Sequence, residues 1–292
     1  MAKNIKLAKH AGFCYGVKRA VETTKKLKSQ NPEKNICVLG ELIHNSQVIK
    51  ELENLGIKTI DTLPQKGDGT CVIRSHGASL EVLKEIEDKG FEIVDLTCPD
   101  VKKVQNKAIE LALEGYFVII LGRAEHPEVM AISSNARSHA KNPEDVFVAE
   151  NLDSIKEIEE KIKKQDKIGI VVQTTQRVEY LNEVVDYLRT FCKDIRIMNT
   201  ICASTSLRQN EAKTLAQESD LMVVVGSKKS ANTTHLAEIL SHITKTIHIE
   251  TDIELDKYQD LVKNAKNIGV TAGASTPDYI INKVLEKLSK GE

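Results

Sequence analysis

Three cysteines in this chain stand where a thiolate could do chemistry. Cys14, Cys98 and Cys202 lie in AKHAGFCYGVKRAVETTKKL, EIVDLTCPDVKKVQNKAIEL and IRIMNTICASTSLRQNEAKTLA. In each segment an extended stretch ends at the cysteine, and apolar residues at helical spacing follow. A thiol at a helix start faces unpaired backbone N–H groups and the positive end of the helix dipole, both of which favour the thiolate. Thiolates bind metals, so one such residue in each of three similar segments points to a single metal centre. Cys37 and Cys71 instead begin CVLG and CVIR inside apolar strands, and Cys192 ends a helix in YLRTFCK. Those three read as small hydrophobes in the core.

The sequence contains no Cys-x-x-Cys pair, which argues against zinc ribbons and ferredoxin-like clusters, whose ligands are closely spaced. Three dispersed thiolates suit zinc with one open position, or a [4Fe–4S] cluster with one iron left without a cysteine. Zinc would make a hydrolase of a phosphorylated small molecule, with Glu128 as base. A cluster would make a redox enzyme or a non-catalytic redox sensor.

Further polar residues recur at matching places. Apolar strands end at Gly40, Gly122 and Gly226, and four positions past each glycine stand His44, His126 and Ser230. A later run in each segment, CVIRSHGAS, IGIVVQTTQ and NIGVTAGAS, ends near His76, Thr174 and Ser275. With Asn232 these side chains offer imidazole, hydroxyl and amide groups at strand ends, where parallel α/β sheets bind ligands. Backed by helix N-termini, such donors suit a compact anion such as a phosphate or diphosphate. In GRAEHPEV, Pro127 suits the first turn of a helix and holds His126 and Glu128 at the strand end. A carboxylic acid there is a candidate proton donor, with Glu125 as its competitor.

These residues need elements to place them, and the recurrences describe three pseudo-repeated small α/β domains with mostly parallel sheets. The expected boundaries are 15–97, 98–201 and 202–292, with residues 1–14 packing with the third domain. At 292 residues, 41% hydrophobic but only 4% aromatic and without Trp, the chain must build its cores from Val, Ile, Leu and Ala. Strands covered by helices on both faces have that composition. A formal net charge of −1 lacks the basic surplus of a nucleic-acid binder. With no apolar stretch of membrane-spanning length and no secretory leader, a cytoplasmic chain with reduced thiols is expected.

The residues also resemble a known family. GFCYGVKRA, the HN of LIHNSQVI, the SHG of VIRSHGAS, TCPDVKKV, GRAEHPEV, QTT, TICASTSLRQ, VVGSKKSAN and VTAGAS occur in order along essentially the whole chain. Together they are similar to the 4-hydroxy-3-methylbut-2-enyl diphosphate reductases of the non-mevalonate isoprenoid pathway. The resemblance implies an oxygen-sensitive [4Fe–4S] enzyme whose three α/β domains form a trefoil around a central cluster. It implies Cys14, Cys98 and Cys202 as cluster ligands. His44, His76, Ser230, Asn232 and Ser275 would bind the diphosphate, and His126 would line the cavity. Glu128 would be the proton donor and Thr174 the hydroxyl assisting it. Ala231 departs from a second serine found in some members, which removes a side-chain hydroxyl there. The implied reaction is reductive dehydroxylation to isopentenyl and dimethylallyl diphosphate, with electrons from ferredoxin or flavodoxin.

The division of the cysteines is directly testable. Serine at Cys14, Cys98 or Cys202 is expected to lower bound iron and activity after anaerobic purification, whereas serine at Cys37, Cys71 or Cys192 leaves iron in place. Iron loss on Cys37→Ser would overturn the division.

Overall fold

The computed structural model describes residues 3–290, so the outermost residues of the expected third domain and of the 1–14 segment expected to pack with it fall outside the described part. In chain order the strands are β1 (Asn4–Leu7), β2 (Ile36–Leu39), β3 (Ile57–Ile60), β4 (Thr70–Ile73), β5 (Glu92–Asp95) and β6 (Phe117–Leu121). They continue with β7 (Val146–Ala149), β8 (Ile168–Val172), β9 (Ile195–Met198), β10 (Leu221–Val225), β11 (Thr246–Ile249) and β12 (Asn267–Ala272). They form three four-stranded sheets, ordered β3-β2-β4-β5, β7-β6-β8-β9 and β1-β12-β10-β11. The registered pairings within them are parallel.

One strand order serves all three sheets. Numbering strands within each repeat, the order is second, first, third, fourth, and in the last sheet β1 takes the fourth place after β10, β11 and β12. The N-terminal strand therefore completes the C-terminal sheet, pairing Asn4 with Asn267 through Leu7 with Val270. In this order the chain leaves the first strand toward one edge and the third toward the other. The crevice between those two carboxyl ends is where open α/β sheets bind ligands.

Burial explains why these segments are strands. FVIIL, IGIVV and LMVVV are buried at every position, as β-branched runs covered on both faces must be. Alternate residues of β6 feed opposite cores. Phe117, Ile119 and Leu121 pack with Val184 and Leu188 on one face, while Val118 and Ile120 pack with Val104 and Ile132 on the other. The third sheet repeats this, with Val223 and Val225 on one side and Met222 and Val224 on the other. The fourth strands β1, β5 and β9 lie at sheet edges and contain no fully buried residue.

Two compact units divide the chain. One holds residues up to Asn31, Glu41–Thr59 and the residues from Ala203 onward; the other holds Pro32–Gly40 and Ile60–Cys202. Among the described residues no helix is long and apolar enough to cross a membrane.

In the first unit the turn after β12 lies against the helix Ala231–Ser241. A Cβ on Gly273 would overlap Thr233 Oγ1 and come within 3.0 Å of Thr233 Cβ. That hydroxyl is buried and makes no hydrogen bond of its own. Gly273→Ala is expected to destabilise the chain by about 1–3 kcal/mol in denaturant unfolding. Adding Thr233→Ala should restore part of the loss; no recovery would show that the strain lies elsewhere.

Candidate active site

The three singled-out cysteines occupy equivalent places. Cys14 caps the helix Tyr15–Gln30 and Cys98 the helix Pro99–Leu113, neither using its side chain for the cap. Cys202 directly precedes the helix Ala203–Gln217. Each backbone N–H bonds the turn after the third strand of its own sheet. Cys14 donates to Ala274 O (3.2 Å), Cys98 to Ser75 O (2.9 Å) and Cys202 to Thr174 O (2.8 Å). The fourth strand delivers the cysteine and the adjacent third strand fixes its backbone. For Cys14 the delivery is indirect: β1 stops at Leu7, and a loop through Phe13 intervenes where unbroken extended chain was expected.

All six cysteines are thiols rather than disulfides, and Cys14, Cys98 and Cys202 are half-buried. Cys37 and Cys71 face each other on paired strands, as the core reading expects. The hydrogen bond Cys71 shares with Cys37, together with burial, pushes the Cys71 thiol far above its ordinary range. Burial also pushes Cys192 upward. Both therefore stay protonated and make poor ligands.

In the second unit the predicted residues form a closed series of contacts. The His76 and His126 rings meet edge to face, with centroids 5.3 Å apart. His126 caps the helix Pro127–Arg137, its Nδ1 accepting the Glu128 N–H at 3.2 Å, so the ring proton belongs on Nε2. Pro127 occupies the first helical position, as expected. Glu128 is 1% exposed, and its carboxyl accepts from Thr174 N–H at 2.7 Å and from Thr174 Oγ1 at 2.8 Å. Thr174 O in turn holds Cys202, whose Sγ lies 2.9 Å from Asp100 Oδ2, two residues beyond Cys98. Glu125, the competing carboxylate, is exposed.

Burial dominates the chemistry of Glu128. Removal from water raises its pKa from 4.5 to about 7, although both hydrogen bonds from Thr174 pull the other way. A group of this kind holds a proton near neutral pH and can release it to a bound partner.

In the first unit, the turn after β10 and the turn after β12 carry further donors. Ser230 caps the helix Ala231–Ser241, its Oγ accepting from Thr233 N–H at 3.4 Å, and Asn232 lies half-buried in that helix's first turn. Ser275 Oγ donates to His44 O at 3.3 Å. His44 Nδ1 lies 3.1 Å from Glu41 Oε2, and the following Asn45 caps the helix Ser46–Asn54 through both Gln47 and Val48 N–H. Thus His126 and Ser230 are themselves caps, whereas His44 stands one residue before one.

The donor chemistry fits an iron–sulfur group. Cys14, Cys98 and Cys202 are half-buried thiols at helix starts, and thiolates are the soft donors that iron–sulfur groups take.

Residues 5–289 match the family model described as LytB protein. The chain is 44% identical over 285 residues to the 4-hydroxy-3-methylbut-2-enyl diphosphate reductase of Syntrophotalea carbinolica, covering 97% of both chains. It is 42% identical over 287 residues to the enzyme of that name from Geobacter sulfurreducens, covering 98% of this chain and 97% of the relative. This chain belongs to the LytB family. Among solved structures it resembles (E)-4-hydroxy-3-methyl-but-2-enyl diphosphate reductase, the terminal enzyme of the non-mevalonate pathway, at TM-score 0.76 and 38% identity over 99% of each chain. It also resembles the E-1-hydroxy-2-methyl-but-2-enyl-4-diphosphate reductase of Plasmodium falciparum, at TM-score 0.86 and 27% identity, over 98% of this chain and 88% of that one.

Several supporting residues of this LytB-family chain were not singled out from sequence. Gln173 is buried, and its Oε1 accepts from Arg123 N–H at 3.1 Å, bracing the turn that leads to His126. Thr200 Oγ1 bridges Val172 N–H and O on β8, fixing the approach to Cys202. Thr97 N–H bonds Asp95 Oδ1 at 2.9 Å on the approach to Cys98. A signal existed for the threonines, since TC and TIC echo each other. Gln173 sits inside the quoted QTT.

The raised Glu128 pKa has a consequence for stability. Because the folded value exceeds the unfolded one, stability present below pH 4.5 is lost as pH rises through about 7. Glu128→Gln removes that titration, and the Thr174 hydroxyl can rotate to accept from the amide. Relative to the parent chain the variant is expected to gain up to about 3 kcal/mol between pH 4 and pH 8. Parallel unfolding curves across that range would contradict the burial-raised acid.

Proposed function

We propose that this chain catalyses the two-electron reductive dehydroxylation of 4-hydroxy-3-methylbut-2-enyl diphosphate to isopentenyl diphosphate and dimethylallyl diphosphate. The buried Glu128–Thr174 pair carries this reading, in a chain whose full-length relatives bear that substrate's name. Cys14, Cys98 and Cys202 are the proposed ligands of a [4Fe–4S] cluster. When bound, the cluster supplies electrons one at a time and one Lewis-acidic iron that no cysteine ligates.

The chain's own residues do the rest. His44, His76, Ser230, Asn232 and Ser275 bind the diphosphate through short donors at strand ends and helix starts. His126 lines the site and, by capping its helix, holds the Glu128 backbone. Holding the diphosphate positions the remote allylic carbon for reaction. Glu128 gives its proton to the departing hydroxyl, which leaves as water, while Thr174 steadies the carboxyl through two hydrogen bonds. A second proton, added to either end of the allylic system, accounts for two products. The balance is one substrate, two electrons and two protons to one product and one water.

The name carried by the full-length relatives favours this reading over a zinc-dependent hydrolase. A sensor would need neither the Glu128 acid nor the polar turns. The electrons are proposed to come from a one-electron donor such as ferredoxin or flavodoxin in a cytoplasmic setting that keeps thiols reduced.

Iron, sulfide and zinc content after anaerobic purification, followed by an assay with a reduced one-electron donor, tests the whole reading. Glu128→Gln is expected to retain the cluster and bind substrate but to lose most turnover, by roughly 10²-fold or more. A variant turning over near the normal rate removes Glu128 as proton donor.

A further inference from the structure

Of the three cysteines, Cys14 alone is carried by a long loop rather than by the end of a strand, yet this loop is tightly held. Lys9 N–H donates to Glu211 Oε1 at 2.6 Å and His10 N–H to Glu211 Oε2 at 2.8 Å. His10 Nδ1 also lies 2.8 Å from Glu211 Oε2. One carboxylate thus accepts two consecutive backbone donors, one on each oxygen. Burial would raise the Glu211 pKa, but the bonds from His10 and Lys9 prevail and hold it below the usual carboxylate value.

One turn earlier on the same helix, Arg208 is 4% exposed. Its Nη1 bonds His10 O and also Ala272 O, the latter at 2.9 Å. A single buried guanidinium therefore ties the Cys14 loop to the end of β12, just before the turn that carries Ser275. Farther along the loop, Gly12 has φ +88°, and a Cβ there would stand 3.0 Å from Ile281 Cδ1 and 3.1 Å from Asp278 Oδ1. The loop ends where Cys14 N–H meets Ala274 O. None of these contacts belongs to the β1–β12 register, which ends at Leu7 and Val270.

We infer that Glu211 and Arg208 are positioning residues for Cys14: a two-residue clamp on the loop backbone that fixes where its thiol is presented and joins it to the β12 turn. The inference rests on the reading of Cys14 as a cluster ligand. Both residues project from the helix that begins one residue after Cys202, so one helix follows one proposed ligand and clamps the loop of another. A glutamine at 211 offers one acceptor oxygen where two donors wait, and its amide would face an N–H. A methionine at 208 fills the space but leaves the buried Ala272 carbonyl and the His10 carbonyl without that donor.

The test uses the anaerobically purified full chain. Glu211→Gln and Arg208→Met are compared with the parent, with Cys14→Ser, and with Glu218→Gln, which breaks only the exposed Lys6–Glu218 pair at 3.0 Å. Iron and sulfide per chain, the rate of iron loss to a chelator, and the electron-spin signature of the reduced cluster are read alongside melting temperature. Both clamp variants are expected to lose iron faster than the parent by roughly tenfold or more, the usual range for removing a ligand's supporting partner. Their cluster signal should broaden or split, while Glu218→Gln behaves as the parent. Folded clamp variants with parental iron loss and spectrum would overturn the clamp. A parent without iron, or a Cys14→Ser variant with parental iron, would instead overturn the cluster reading beneath it. If a clamp variant does not fold, hydrogen exchange on the parent decides: slow Lys9 and His10 amides support the clamp, and rapid exchange refutes it.

Discussion

Parallel strands covered on both faces leave polar groups almost nowhere to stand except at strand ends. In β6, β8 and β10 every residue is buried, and a side chain wanting water or a ligand finds neither along them. The strand order then places the first and third strands side by side with their connections diverging. The candidate histidines, hydroxyls, amide and carboxyl follow the first and third strands, and the cysteines follow the fourth. The backbone bonds from Cys14, Cys98 and Cys202 to the neighbouring turns follow from that adjacency, because the fourth strand always lies beside the third.

Within this frame, the fold accepts an electrostatic cost at Glu128. A carboxyl at the second position of a helix would ordinarily be helped toward ionisation by the helix dipole. Here it is sealed from water between the helix Pro127–Arg137 and the turn after β8, and desolvation prevails. The Thr174 hydrogen bonds orient the group without restoring the lost hydration. A neutral acid in a defined direction is the result.

The three cysteine sites reach the same backbone bond by unequal means. Cys98 and Cys202 follow β5 and β9 closely, their approaches shaped by local bonds of Asp95, Asn199 and Thr200. Cys14 belongs to the cyclic closure, where β1 returns to the sheet of β10–β12, and its longer loop depends on Glu211 and Arg208. Backbone donors and acceptors outside the ladder are met by side chains or water.

How much of this was legible in the sequence depended on the range of the interaction. The placement of Cys14, Cys98 and Cys202 before helices, the separation of Cys37, Cys71 and Cys192 from them, and Pro127 at a helix start are local matters of period and capping. Those were readable. So was the α/β class, since Val- and Ile-rich runs alternating with helical periods leave few other architectures. Between Glu125 and Glu128 spacing alone left the choice open and the family resemblance pointed to Glu128; burial is set by what packs on a residue, and Thr174 lies 46 positions away. Nothing local marks Arg208 and Glu211, whose partner His10 comes from the other end of the chain. Spacing thus determined which residues could take part, and tertiary packing decided which carboxyl stays protonated and which charges hold a loop. Desolvation and long-range hydrogen bonds exist only once the chain has closed on itself.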